Sequence, residues 1–592
     1  MCGILGTNFS SEHFSKALEL LKSRGPDFQA IKTYDTITLG HTRLSIIDLD
    51  SEANQPMEFD NISIVFNGEI YNYKTLIKEH DLHCTTQSDT EVIIRLYQKY
   101  DLDSLNYLNG AFSFCIYDTN KNRFFGARDR YGKKPFYYFH KNNQFIFSSL
   151  IKPIITLLNY TPKLNKIALS QYLQYFTPLA PNTFYQDIFK LDKASYLVFE
   201  KNTLTIKKYY KIKTYKKIHE EKVALDTIEG TLLKAVESRL VSDVEVGSLL
   251  SGGIDSSLIS SIYSKISGKK IKTFSVGYTE CTKYSELPYA KLVSKHLNSE
   301  HTEVILDKRS YIDSLENVFA SLEEPHGDHA AIPLYNLTKE IHNQGIKTVL
   351  SGEGSDELFL GYDNYKKFYD YYMFDKTLSE EQRDFLKLNI NTIKQDTKET
   401  LYLKRLLHKQ TIYNSFGEIF THNQKKRLFK KVPTFKEEKE KSDPVDWMSS
   451  IDMKIWLGES LLSKVDKISM ANSLETRNPF LDVNLVDLLF SIDSQLKLGD
   501  TNKYLLKQIA PKYIPKEIIL RQKKGFNSPY NEWLNSEYKD SIVTTIIDAN
   551  KIHALFNEQY ICELYQLSLK NKHKQHIYAL WVFSKWYLNN HN

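Results

Sequence analysis

The chain has few cysteines, no long apolar run and little surplus charge, and each shortage removes a class of function. Its five cysteines (Cys2, Cys84, Cys115, Cys281 and Cys562) show no C-x-x-C or C-x-x-H spacing. Neither a zinc site nor a disulfide framework is expected. No stretch approaches the roughly 18 consecutive apolar residues of a membrane-spanning helix. The start lacks a basic segment followed by an apolar run, so no secretory leader is read there and the cytoplasm is the expected location. A net charge of +6 over 592 residues is too dilute for a nucleic-acid binder, which carries clustered basic stripes. The densest basic stretch, HNQKKRLFKKVPTFKEEKEK, is interleaved with glutamates and is expected to be a solvated helical surface. No internal repeat is found, and the Gly-Lys-Ser/Thr ending of a Walker A loop is missing.

What is there divides the chain. At 592 residues it exceeds one hydrophobic core, so two or three domains are expected. The first 200 or so residues read as short strands with helices. ISIVFNGEIYN reads as a strand running into an Asn-Gly turn, and AFSFCIYDTNKNRFFGARD and PFYYFHKNNQFIFSS read as hairpins. EHFSKALELLKSRG and SDTEVIIRLYQKY have helical spacing, the second opened by a Ser-Asp-Thr-Glu start signal. The lysine- and tyrosine-rich TLTIKKYYKIKTYKKIHEEK shows little burial pattern and is taken as the linker. From Asp226 helix and strand alternate, as in a parallel sheet wound with helices. Past about Asp363 the pattern is helical and charged.

LLSGGIDSS lies between an expected strand and an expected helix. Gly252 and Gly253 permit a tight turn and close backbone approach. Ser251, Ser256 and Ser257 add hydroxyls, and the helix start near Ile254 favours an anion. Asp255 in an anion site makes sense if Mg²⁺ bridges phosphates. An ordinary strand-helix turn is the plainer reading. Ser-Gly-Gly-x-Asp-Ser, however, resembles the PP-loop of N-type ATP pyrophosphatases, which transfer AMP from ATP. VLSGEGSDELFLGY also follows a strand and gathers Glu353, Asp356 and Glu357. Beside a PP-loop, Asp356 is the expected second Mg²⁺ ligand.

The chain opens MCGILG. If Met1 is removed, the Cys2 thiol sits beside a free α-amine of pKa about 7.7–8.0 that can serve as its general base. Cys2-Gly3-Ile4, RGPD (Arg24 to Asp27), HTRLSIID (His41 to Asp48), FNGEIYN (Phe66 to Asn72), SDTE (Ser88 to Glu91) and ARDRYGKKPFYY (Ala127 to Tyr138) follow in that order. With the PP-loop, they make the chain resemble the glutamine-hydrolysing asparagine synthetases over nearly its full length. The resemblance implies an α+β, then α/β, fold. An N-terminal nucleophile-type αββα sandwich (2–205, class II glutamine amidotransferase) and a linker (206–225) precede a doubly wound parallel-sheet PP-loop domain with a helical C-terminal region (226–592).

The chemistry follows. Arg43 offers a bidentate fork to glutamine's α-carboxylate, and Asp89 and Glu69 offer carboxylates to its α-ammonium. The Cys2 thiolate attacks the side-chain amide, and the Asn67 amide with the Gly68 N–H receives the oxyanion. By resemblance, Leu250, Val276, Ser351 and Gly352 line the adenosine site. Glu353 is the base for the attacking amine, and Lys523 of RQKKGF neutralises phosphate charge, with Lys524 beside it. LLSKVDKISMANSLETRNPFLD brings Lys464, Asp466, Lys467 and Arg477 as shaping residues. Taken singly, Arg43 could be a surface ion pair, Asn67-Gly68 a turn and Asp89 a helix cap.

The implied activity is that of a carbon–nitrogen ligase. Glutamine-derived ammonia crosses an internal channel and amidates the adenylated side chain of aspartate, giving AMP, pyrophosphate and glutamate, with ATP and Mg²⁺ as co-substrate and metal. No nucleic-acid or membrane partner is expected, and the assembly, a homodimer or otherwise, is left open. EEPHGDHAAIP departs from the family pattern at His329 and Ala330, and the region from about Asp370 to Asp443 matches nothing specific. A different carboxylate acceptor, such as a sugar acid, therefore stays open. A non-catalytic binding protein on the same fold is disfavoured by the intact Cys2, Arg43, Asn67, Asp89, Asp255 and Asp356.

Overall fold

Two sets of strands build the first half, and their central strands are buried at every residue, as strands covered on both faces must be. The computed structural model describes residues 2–390, 392–393, 397–440, 443–523, 525 and 528–591. One six-stranded antiparallel sheet runs in the spatial order Ile188–Lys190, Tyr137–Lys141, Gln144–Ser148, Gly3–Thr7, Ile37–Arg43, Phe28–Tyr34. A second runs Thr203–Lys208, Ser195–Glu200, Arg123–Arg128, Gly110–Asp118, Ile62–Ile70, Met57–Phe59. Ile4, Leu39 and Phe147 of the first pack with Val65, Cys115, Phe124 and Leu197 of the second. Strand side chains alternate faces. Leu5, next to Ile4, therefore packs outward with Phe14, Leu18 and Ile154 of flanking helices. On the far side Ile64 and Phe66 meet Val92, Ile93 and Leu96 of the helix Asp89–Tyr100. The result is the expected αββα sandwich.

The second half is built on a five-stranded parallel sheet ordered Glu300–Leu306, Lys272–Tyr278, Val246–Leu249, Thr348–Leu350, Glu475–Arg477. The chain winds one way from Val246–Leu249 and then back to its other side. That strand is the switch point, beyond whose carboxyl end open α/β sheets bind ligands. LLSGGIDSS stands there, and the helix Ile254–Ser267 follows.

Three readings need correction. Asn67-Gly68 is no turn. The strand Ile62–Ile70 runs straight through it, Asn67 opposite Ser113 and Gly68 opposite Phe112. Gly68 has φ +147°, and a Cβ there would lie 2.0 Å from the Ala111 carbonyl oxygen. Glycine serves close approach here, not chain reversal. Second, TLTIKKYYKIKTYKKIHEEK is not all linker. Its first residues form the edge strand Thr203–Lys208, and the next helix, Glu221–Arg239, starts before Asp226. Third, among the described residues the basic stretch is helical only over His422–Leu428, and that helix is solvated on one face, at His422, Asn423, Lys426 and Arg427, while Gln424, Lys425 and Leu428 are buried. The Ile419 and Phe420 amides nearby donate to Gln174 and Leu173, which ties the region to the first half.

Candidate active site

Cys2 leads into the strand Gly3–Thr7, at the middle of its sheet, and is buried. Its backbone N–H donates to Asn67 Oδ1 on the facing sheet, at 3.0 Å. Met1 lies outside the described residues, so the processing expectation stays with the sequence. Burial pushes the Cys2 thiol up, with the Arg43 charge opposing it. Arg43 ends its own strand and is enclosed by the next loop. It donates to the Asp50 carbonyl at 2.9 Å, to Asn54 Oδ1 at 2.7 Å and to the Asp48 carbonyl. Arg43 is therefore no surface ion pair.

Two buried acids stand near the cysteine. Asp89 Oδ2 accepts from the Ile70 N–H at 2.8 Å, while Ser88 caps the helix through Thr90 N–H at 3.2 Å. The capping role thus falls to Ser88. Burial pushes the Asp89 carboxyl up to about 7, and burial with the nearby Glu475 charge pushes Glu69 well up. Two buried acids held in this way favour an incoming ammonium, which would let both ionise.

The PP-loop opens on a cavity of about 980 Å³. Its walls include Leu250, Ser251, Gly253, Asp255, Ser256, Val276, Ser351, Gly352, Glu353, Asp356 and Lys523. Gly252 turns the loop at φ +73°, and its carbonyl accepts from Arg521 Nη1 at 2.9 Å. Ser251 and Ser256 hydroxyls lie 3.0 Å apart. Burial pushes Glu353 up, against Lys464 and with Asp356 adding to it, which suits a proton acceptor. The segment expected on the acceptor side, Gly327 to Ala330, lines the same cavity. Asp328 pairs with Lys464 at 2.5 Å. The His329 ring stacks on Tyr530 at 3.9 Å, and burial lowers its pKa to about 4.

Lys503 was not singled out by any sequence pattern. Its Nζ is 2.6 Å from Asp356 Oδ1 and also contacts Asp255 Oδ2. Lys523 contacts the same Asp356 oxygen and lies 4.3 Å over the Tyr362 ring. Lys524 lies outside the described residues. Burial alone would raise Asp356, but Lys503 and Lys523 outweigh it and hold the carboxyl at about 2. Among the described residues no three His, Cys, Asp or Glu side chains form a metal cluster. Two carboxylates converging on one cationic atom nonetheless suit a hard cation that takes its other ligands from phosphates.

One helix, Leu462–Met470, stands between the two regions. Lys464 and Val465 face the cavity. Asp466 accepts from Arg24 Nη1 at 2.9 Å, and Arg24 Nε donates to the Cys2 carbonyl at 3.1 Å. Lys467 donates to the Leu322 carbonyl at 2.8 Å. Among the described residues the cavity lining includes neither Cys2 nor Asn67, and no helix is long and apolar enough to cross a membrane.

Residues 227–588 match the family model described as asparagine synthase, and residues 1–210 match the one described as glutamine amidotransferase domain. Asparagine synthetase [glutamine-hydrolyzing] 1 of Bacillus subtilis is 31% identical over 99% of this chain and 96% of its own. A putative asparagine synthetase [glutamine-hydrolyzing] 2 of Methanocaldococcus jannaschii is 36% identical over 61% of this chain and 76% of its own. Amidase chry2 of Gibberella zeae is 26% identical over 91% of this chain and 88% of its own.

Proposed function

The chain belongs to the asparagine synthase family and carries a glutamine amidotransferase domain, and from that premise we propose that it converts aspartate to asparagine in the cytoplasm with glutamine as nitrogen donor and ATP as energy source. One observation carries the proposal: the Cys2–Asn67 pair and the PP-loop cavity flank a single helix, with Arg24–Asp466 on one face and Lys464 on the other.

Cys2 attacks the glutamine amide carbon. Asn67 and the Gly68 N–H hold the oxyanion, and loss of ammonia leaves a glutamyl thioester that water hydrolyses to glutamate. Arg43 takes the α-carboxylate, and Glu69 with Asp89 takes the α-ammonium. In the second site an oxygen of the acceptor carboxylate attacks the α-phosphorus of ATP, and pyrophosphate leaves. Ammonia then attacks the acyl carbon, Glu353 takes its proton and AMP leaves. The loop Ser251–Ser256 cradles phosphate, Leu250, Val276, Ser351 and Gly352 enclose the nucleoside, and Lys523 balances phosphate charge. Asp255 and Asp356 would hold Mg²⁺, which when bound neutralises phosphate charge. Ammonia passes inside the protein along the helix Leu462–Met470. The proposed division keeps a glutaminase half, a linker and a synthetase half, with the linker shortened to the residues between the strand Thr203–Lys208 and the helix Glu221–Arg239.

A second reading keeps this machinery and changes the acceptor to another carboxylate, such as a sugar acid. His329 and Ala330 in the cavity wall favour it, since they depart from the family pattern on the acceptor side. Incubation with glutamine, ATP, Mg²⁺ and aspartate decides between them. Asparagine and AMP in equal amounts are expected. Glutamate without asparagine would move the acceptor to the second reading.

A further inference from the structure

Arg477 touches both sites at once. Its side chain is fully buried and reaches the first half: Nη2 lies 3.6 Å from Glu69 Oε1. Its backbone belongs to the second half. The Arg477 carbonyl accepts from the Ser351 N–H at 2.8 Å, and Ser351 lines the PP-loop cavity. The register makes this contact unavoidable, because Leu350 stands opposite Arg477 in the parallel pair Thr348–Leu350 and Glu475–Arg477.

The guanidinium is held firmly on its other edges. Nε donates to Glu475 Oε1 at 2.6 Å, and Nη1 donates to the carbonyls of Arg239 at 2.8 Å and Val241 at 2.6 Å. Only the edge toward Glu69 is loose. At 3.6 Å the pair is an ion contact without a hydrogen bond. Glu69 Oε2 and Arg477 Nη2 are both buried with no hydrogen-bond partner among the described residues. Unsatisfied buried polar atoms are costly, so this edge is built to take a further group.

We propose that Arg477 is a positioning residue that couples occupancy of the glutamine site to the nucleotide site. This rests on the reading that Glu69 receives glutamine's α-ammonium. An ammonium arriving at Glu69 competes with Arg477 for the same carboxylate, so the guanidinium must readjust. Its main chain carries that readjustment to Ser351. Ordering of this segment by one ligand lowers the cost of ordering it for the other, so the expected coupling is positive.

The test measures glutamine affinity of the Cys2→Ala chain by calorimetry, with and without ATP and Mg²⁺. No aspartate is added, so neither ligand is consumed. The expected coupling is at least about 5-fold tighter glutamine binding with ATP present, and by linkage the same factor for ATP with glutamine present. Adding Arg477→Lys should bring that factor to about one while each ligand alone still binds measurably. General loss of structure would weaken both separate affinities, which coupling loss alone does not. Should Arg477→Lys fail to fold, Glu475→Gln decides, because it removes the charge that anchors the Nε edge, leaving at most a neutral acceptor there, and should at least halve the factor. A folded Arg477→Lys chain with the parent's full factor, or a parent with no coupling, overturns the proposal. A parent that binds no glutamine overturns the glutaminase reading and this proposal with it.

Discussion

Arg24 and Asp466 form a buried ion pair across the junction of the two halves, Nη1 to Oδ2 at 2.9 Å, 442 residues apart in sequence. The same arginine holds the Cys2 carbonyl. Lys134 adds a second buried cation 3.8 Å from Asp466. A buried pair is weak evidence of net stabilisation, but removing one partner leaves the other charge without compensation. Here one carboxylate serves two cations. Asp466→Ala should therefore destabilise the chain by about 3 kcal/mol or more, read as a lower urea midpoint. An unchanged midpoint would mean that water reaches Arg24 and Lys134.

Cys2→Ala should abolish glutamine-dependent synthesis, by at least about 10³-fold, and leave synthesis from added ammonium. In the proposed reaction the thiol makes ammonia and does not meet ATP, in keeping with its absence from the cavity lining among the described residues. Both rates are read by asparagine formation. Equal loss of both in a folded variant would defeat the division of labour.

The parts of the site that were legible in the sequence are those packed into contiguous motifs. The PP-loop reads from eight or nine residues because strand, glycine turn and helix start are all local signals. The sandwich was legible from strand pairs closed by short polar turns. Lys503, the Arg24–Asp466 pair and the Glu69–Arg477 contact were not. Lys503 follows a turn in GDTNKY, where nothing local marks a lysine that will reach Asp255 and Asp356. The two ion contacts join segments brought together only by the final packing. Asn67-Gly68 was misread because the dipeptide is a strong hairpin signal, and only the nearby Ala111 carbonyl explains the glycine.

Asp255→Asn should lower pyrophosphate release by about 10²–10³-fold with either nitrogen source, while glutaminase activity survives. The substitution removes one of the two carboxylates that meet Lys503 and one of the proposed metal ligands. Pyrophosphate release and glutamate formation are measured on the same preparation. Unchanged pyrophosphate release would reduce Asp255 to a helix-start residue.

Glutamine binding should weaken as pH falls through about 7, the value to which burial lifts Asp89. Glu69 is lifted in the same direction, by burial, by the Glu475 charge and by Asp89, with Arg477 opposing. An ammonium needs the ionised acids, so each proton taken up below that pH opposes binding, by at most one log unit per pH unit per proton. The sign for stability is opposite. Between the ordinary carboxylate range and about 7 the folded chain keeps protons that the unfolded chain releases, so this pair costs stability as pH rises through that window. Calorimetry with Cys2→Ala at several pH values reads the first effect. An affinity flat between pH 5 and 8 would remove Asp89 from the ammonium site.

On the proposed division of labour, ammonia made at Cys2 must stay neutral to act as a nucleophile, and in water near neutral pH most of it would be protonated. Burial disfavours the charged form, so a dry path solves the problem. A dry path calls for a lining of mainly apolar and small residues. Leu461 and Val465 meet that description on the cavity side. Arg24 and Asp466 stand on the Cys2 side, but they are committed to each other and to the Cys2 carbonyl. A charge so engaged is a poor proton donor to a passing amine. Product nitrogen should therefore come from glutamine even when ¹⁵N-labelled ammonium is present in the medium. Mass spectrometry of the asparagine formed reads the label directly. Product nitrogen carrying the same label fraction as the medium would show that ammonia leaves the protein before it reacts, and the internal path would have to be given up.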